Sequence, residues 1–171
     1  MEKVFIIING PSCAGKSSVV TEIGKIHPEL FHLCYDRLKW SYFDYNYATH
    51  SERVYELLAL LETYAIGNGL SMIKDGGLYR DKIGHLMQIA KDAGYRIVEV
   101  NITAPPDVLI ERFRKRVEEV TALNKKISNT SEGRFWEIHE QTEAHTDKTL
   151  PTYDTSKMTS EEIAKEIISL I

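Results

Sequence analysis

"VFIIINGPSCAGKSS", residues 4–18, sets an apolar run against two glycines, Gly10 and Gly15, with a lysine and a serine directly after the second. Gly10-Pro11-Ser12-Cys13-Ala14-Gly15-Lys16-Ser17 satisfies the pattern G-x-x-x-x-G-K-(S/T) in full. The residues before it are β-branched and aromatic enough for a buried parallel strand, and Val19, Val20, Ile23 and Ile26 after it recur at helical spacing. Strand, glycine loop and helix together form an anion nest, because successive backbone N–H groups point inward and the helix adds its positive end. In such a loop Lys16 reaches the outer phosphates of a nucleotide as a point charge, the Ser17 hydroxyl coordinates Mg²⁺, and Ser18 closes the nucleotide-binding segment. The ordinary alternative is a glycine-rich turn with a surface lysine, and the flanking strand and helix weigh against it.

Outward from the loop, strands and helices alternate. "ELFHLCYD", residues 29–36, alternates Phe31, Leu33 and Tyr35 and predicts a second strand that stops at Asp36. From Ser51, Val54, Leu57, Leu58, Leu61 and Tyr64 form a helical stripe that Gly67 and Gly69 end. "LSMIKD" predicts a third strand ending at Asp75 before Gly76-Gly77, followed by a helix from about Asp81 to Ala93 with Gly94 as its C-cap. "YRIVEVNIT" is the fourth strand, and Pro105-Pro106-Asp107 starts a helix on which Arg112 and Arg116, four residues apart, share a face. Residues 121–149 are polar and weakly periodic, the pattern of a mobile cover. "PTYDTS" gives a fifth strand, and Thr159-Ser160-Glu161-Glu162 is a capping box for a last amphipathic helix. The pattern predicts an α/β fold, a parallel sheet covered on both faces with Gly10, Asp36 and Asp75 at its carboxyl ends, where ligands bind.

A chain of 171 residues, 43% hydrophobic and 27% charged, suits one packed domain and is short for two. The formal charge of −4 provides no broad attraction to a polyanion, so nucleic acid is disfavoured as a partner and a small molecule is the easier reading. Cys13 and Cys34 read as free thiols of a reducing cytoplasm, and the first apolar run is too short for a secretory leader or a membrane span.

The strand ends carry the chemistry. Asp36, beside the loop, suits the base that takes a proton from an attacking hydroxyl, or else the cap of the next helix. Asp75 suits Mg²⁺ held through water, a substrate hydroxyl, or the cap of the turn at Gly76-Gly77. Tyr79 and Arg80 are candidates for the substrate side, Arg80 as a clamp on an anion. Arg112 or Arg116 is the expected catalytic arginine, brought onto the transferring group by closure of the cover, while Arg114 points elsewhere on the helix. Trp40 opens the aromatic run "WSYFDYNY", which either stacks a ring or sugar or packs a substrate-side helix on the core. His139 and His145, six residues apart, lack the spacing of a zinc-protease pair.

With these residues in place the chain resembles the small P-loop kinases, and most closely the chloramphenicol phosphotransferase and zeta-toxin group. "IIINGPSCAGKSSVV" and "CYDRL" are similar to the phosphotransferase, and the stretch from "KDGGLYRDKIG" to "LIERFRKR" is similar to the zeta toxins. "EIHEQ" and "YDTSKMTSEEIAKEI" are similar to the end of the phosphotransferase. The resemblance implies a three-layer α/β/α P-loop fold with strand order 2-3-1-4-5 and a small helical lid. It also implies ATP and Mg²⁺ as cofactors, Asp36 as base, Arg80 on the substrate side, Arg112 and Arg116 as nucleotide or transition-state contacts, and Thr155 with Ser156 at the adenine edge. The expected activity is phosphorylation of a small-molecule hydroxyl. A nucleoside, nucleotide or polynucleotide 5′-kinase, or an ATP-binding regulator without catalysis, are the alternatives.

Overall fold

A computed structural model of the chain describes residues 2–76, 80–123, 127 and 129–171, and within 80–83 the backbone alone. The elements run β1 (Val4–Asn9), α1 (Lys16–Ile26), β2 (Phe31–Cys34), α2 (Tyr35–Lys39), α3 (Tyr47–Gly67), β3 (Met72–Asp75) and α4 (Arg80–Asp92). They continue with β4 (Arg96–Thr103), α5 (Pro106–Ala122), α6 (Glu132–His145), β5 (Thr152–Asp154) and α7 (Ser160–Ser169). The strands form one parallel sheet in the order β2-β3-β1-β4-β5. This is the P-loop order that the resemblance implies.

β1 is central, so both of its faces must be apolar, and alternation divides them between two cores. Ile6 and Ile8 meet Val19 and Ile23 of α1, Leu109 and Phe113 of α5, and Ile163 and Ile167 of α7. Phe5 and Ile7 meet Val54 and Leu58 of α3 with Leu86 and Ala90 of α4. Full burial of a valine, leucine, isoleucine or phenylalanine side chain among these stabilises the fold by about 1.5–3 kcal/mol relative to exposure. The capping box forms as expected: Thr159 accepts from the Glu162 N–H, and the Glu162 carboxylate accepts from the Thr159 N–H at 2.8 Å. Among the described residues no helix is long and apolar enough to cross a membrane.

Two boundaries depart from expectation. β2 ends at Cys34, so Asp36 sits in the first turn of α2 rather than at a strand end. An acidic residue is favoured there by the helix dipole. α3 begins at Tyr47, because the Asn46 side chain accepts from the Ala48 N–H at 2.9 Å and so starts the helix within the aromatic run. Within 121–149 the chain forms α6, capped by Ser131 and anchored by Phe135, which is 1% exposed and packs on Phe113 with ring centroids 4.7 Å apart.

Candidate active site

The loop between β1 and α1 is shaped by positions that only glycine fills. Gly10 has φ +133°, and a Cβ there would lie 1.9 Å from the Ile102 carbonyl oxygen. Gly15 has φ +95°, and its Cβ would press on the Thr155 methyl at 3.2 Å. The loop therefore lies directly against β4 and the end of β5, leaving its mouth open. Lys16 Nζ bends back over that mouth and donates to the Gly10 and Pro11 carbonyls, at 2.7 Å each. Burial lowers its pKa from the ordinary lysine value, and the nearby carboxylates of Asp75 and Asp36 oppose that shift only in part. An anion brought to this ammonium gains what solvent no longer supplies.

Facing the loop is a cavity of about 760 Å³. Gly10, Ser12, Cys13, Gly15, Lys16, Ser17 and Ser18 line one side of it, and Pro11 and Ala14 are buried in the backbone behind. Asp36, Asp75, Arg112, Arg116 and Thr155 line it as well. Trp40 and Ser156 are not in its wall; the Ser156 hydroxyl donates to Asp154 at 2.7 Å and closes a surface turn. Tyr79 and the Arg80 side chain lie outside the described residues.

Each lining group has a distinct setting. The Asp36 carboxylate is 61% exposed and accepts from Lys39 Nζ, which is itself buried and lies 5.0 Å from the Trp40 ring centre. Asp75 is 3% exposed, and its Oδ1 is 2.6 Å from His32 Nε2. Burial pushes the Asp75 carboxyl up, but the His32 hydrogen bond and charge, with help from Cys34 and Lys16, hold it below the usual carboxylate value. Arg112 donates to Thr155 and to the Cys13 carbonyl, so it braces the loop, whereas Arg116 lines the cavity near Lys16. Arg114 turns away to an exposed pair with Glu132.

Sequence reasoning missed much of the opposite wall. Ile138, Gln141, Thr142 and His145 of α6 line the cavity, as do Tyr55 of α3 and Asn101 of β4. The four α6 residues recur at i, i+3, i+4 and i+7 and so share one face of the helix, but they mix an apolar with three polar side chains and leave no clear period of either kind. Lys39 was also missed, although its i+3 spacing from Asp36 is visible in "DRLK".

The fold is shared with solved structures across nearly their whole length. Mycobacterium tuberculosis APS kinase, in complex with AMPPNP and APS, is 18% identical with a TM-score of 0.65 over 99% of this chain and 97% of that one. A gluconokinase from Sinorhizobium meliloti is 16% identical, with a TM-score of 0.62 over 98% and 90%. The Deinococcus radiodurans tunicamycin resistance protein is 17% identical, with a TM-score of 0.61 over 98% and 95%. None of the curated proteins compared with it matches in sequence. The family described as AAA domain matches residues 5–135, a span that runs from β1 through the loop, the next three strands and the arginine helix into α6, and the chain belongs to that P-loop family.

Proposed function

We propose that the protein is an ATP- and Mg²⁺-dependent kinase that phosphorylates a hydroxyl of a small molecule, with Asp36 as general base. The observation that carries this reading is that one cavity joins the phosphate loop, an exposed carboxylate, a buried carboxylate and Arg116. The APS kinase and gluconokinase relatives support it, since the same architecture serves kinases of small molecules.

The loop amides and Lys16 hold the outer phosphates, and Asp36 accepts the proton of the acceptor hydroxyl as its oxygen attacks the γ-phosphorus. The bond from that phosphorus to the β–γ bridging oxygen breaks, and ADP is the leaving group. Lys39, fixed beside aromatic rings, engages one Asp36 oxygen and orients the carboxylate toward the cavity. Arg116 and Lys16 balance charge on the transferring group. The Ser17 hydroxyl and the Asp75 carboxylate are the hard oxygen donors that suit Mg²⁺, Asp75 through water, and bound Mg²⁺ supplies charge neutralisation on the phosphates. The α6 face closes the site against water as one part of a single domain spanning 1–171, with 121–149 as its cover.

Transfer from labelled ATP with Mg²⁺ tests the reading, across aminoglycosides, phenicols, nucleosides, nucleotide sugars and 5′-hydroxyl oligonucleotides. One class should accept phosphate, and Asp36→Asn should lower turnover by about two to four orders of magnitude while ATP still binds. Undiminished transfer by Asp36→Asn would remove the base assignment.

A further inference from the structure

β2 and β3 run parallel with Cys34 opposite Asp75 and His32 opposite Ile73. Strand alternation places His32 and Cys34 on one face of β2, the face on which Asp75 projects from β3. A ring nitrogen, a thiol sulfur and a carboxylate oxygen from these three residues all lie within 4.8 Å of one another. The His32 and Asp75 side chains are 18% and 4% exposed, and Cys34 and Asp75 reach the wall of the phosphate cavity.

These are the donors of a borderline-soft cation. Bond lengths of about 2.0–2.3 Å put neighbouring ligand atoms of a tetrahedral zinc ion about 3.3–3.8 Å apart, a spacing that small side-chain rotations reach from the observed positions. Magnesium prefers an all-oxygen octahedron and is disfavoured by the imidazole and the thiolate. The strands fix all three Cα positions before any ion arrives, so little ordering is left for binding to supply.

We propose that His32 Nε2, Cys34 Sγ and an Asp75 carboxylate oxygen form a binding site for a zinc-class divalent cation, with a fourth position left to water or an anionic oxygen. On binding, the Cys34 thiol loses its proton to solvent and the thiolate bonds the metal. His32 binds through the Nε2 lone pair with its proton on Nδ1, and the His32–Asp75 hydrogen bond is replaced by two bonds to the ion. Asp75 is also the carboxylate assigned above to Mg²⁺, so on that reading zinc slows phosphoryl transfer. The binding itself does not rest on that reading and is tested without turnover.

The full chain is titrated anaerobically with Co²⁺ alone. The expected result is a sulfur-to-cobalt charge-transfer band in the near ultraviolet with tetrahedral visible bands, saturating at one ion per chain and bleached by Zn²⁺. Cys34→Ser should lose the near-ultraviolet band and Cys13→Ser should keep it. His32→Ala should weaken Co²⁺ binding by at least about tenfold, since loss of even an outer-shell partner costs that much. In the unmodified chain, Zn²⁺ should slow alkylation of Cys34, read by peptide mass, which guards against a variant that misfolds. No charge-transfer band in the parent, a band that follows Cys13 instead, or Cys34 labelling indifferent to Zn²⁺ would each overturn the site.

Discussion

Arg112 grips Thr155 twice, donating to its hydroxyl oxygen at 2.7 Å and to its carbonyl at 3.1 Å. The same hydroxyl is 2.9 Å from the Ala14 carbonyl, to which it donates, so a chain of hydrogen bonds ties α5 to the phosphate loop through the residue after β5. Thr155→Val keeps the shape and removes the hydroxyl, leaving both Arg112 and Ala14 short of a partner. The variant should lose about 1–3 kcal/mol in urea unfolding, the cost of unsatisfied partly buried groups. Its KM for ATP should rise more than its kcat falls, because the loop rather than the reacting atoms is disturbed. An unchanged urea midpoint would show that the tie contributes nothing.

The two arginines that differ in direction give an internal control. Arg116 lines the cavity, whereas Arg114 pairs with Glu132 in solvent. Arg116→Ala should lower kcat by at least about a hundredfold, within reach of the effect of arginines on phosphoryl transfer. Arg114→Ala should leave turnover and the unfolding midpoint unchanged. Equal loss in both would assign the effect to the charge of the helix rather than to a contact.

What could be read in the sequence was what backbone geometry dictates. Gly10 stands where no Cβ fits and Gly15 takes a positive φ that side chains disfavour, so the loop announces itself in the string. Asp75 ends a strand buried on both faces, with Met72 and Ile73 entering opposite cores, and the strand pattern located it. Asp36 was identified as a cavity residue but placed on the wrong element, because Tyr35 continues the alternation of β2 while its backbone has already turned into α2. The α6 wall was illegible for a physical reason. A helix whose inner face meets a polar cavity carries few apolar residues on that face, so the hydrophobic period that marks a packed helix is weak. His32 was missed because alternation names the face a side chain takes and not the partner it meets there.

Glu62 of α3 and Lys74 of β3 form a buried ion pair beneath the second core. Burial pushes the Glu62 carboxyl above the usual glutamate value, and Lys74 brings it back only in part. A raised folded-state pKa means that the group's contribution to stability is fully present below the unfolded value and is lost as pH rises through the folded one. Lys74→Met leaves a carboxylate buried without its partner and should cost about 3–5 kcal/mol at neutral pH. The double variant Glu62→Met/Lys74→Met should cost little or gain about 1–4 kcal/mol. Relative to that double variant the parent should become more stable as pH falls from neutral, read from urea midpoints across the acid range. A parent that instead loses ground toward low pH would reverse the sign assigned to Glu62.

Phe135 and Gln141 separate the anchoring of α6 from its role as a wall. Phe135 is buried against Phe113, whereas Gln141 lies six residues further along the helix and lines the cavity. Phe135→Ala should cost about 3–5 kcal/mol, the range for a buried aromatic cut to alanine. It should also speed hydrogen exchange of the α6 amides, since the helix loses the side chain that holds it on α5. Gln141→Ala should leave the unfolding midpoint and α6 exchange unchanged while raising the KM of ATP or of the acceptor. Whichever KM moves identifies the molecule that α6 covers. If Gln141→Ala left both KM values unchanged, the cavity would extend to α6 without either substrate reaching it.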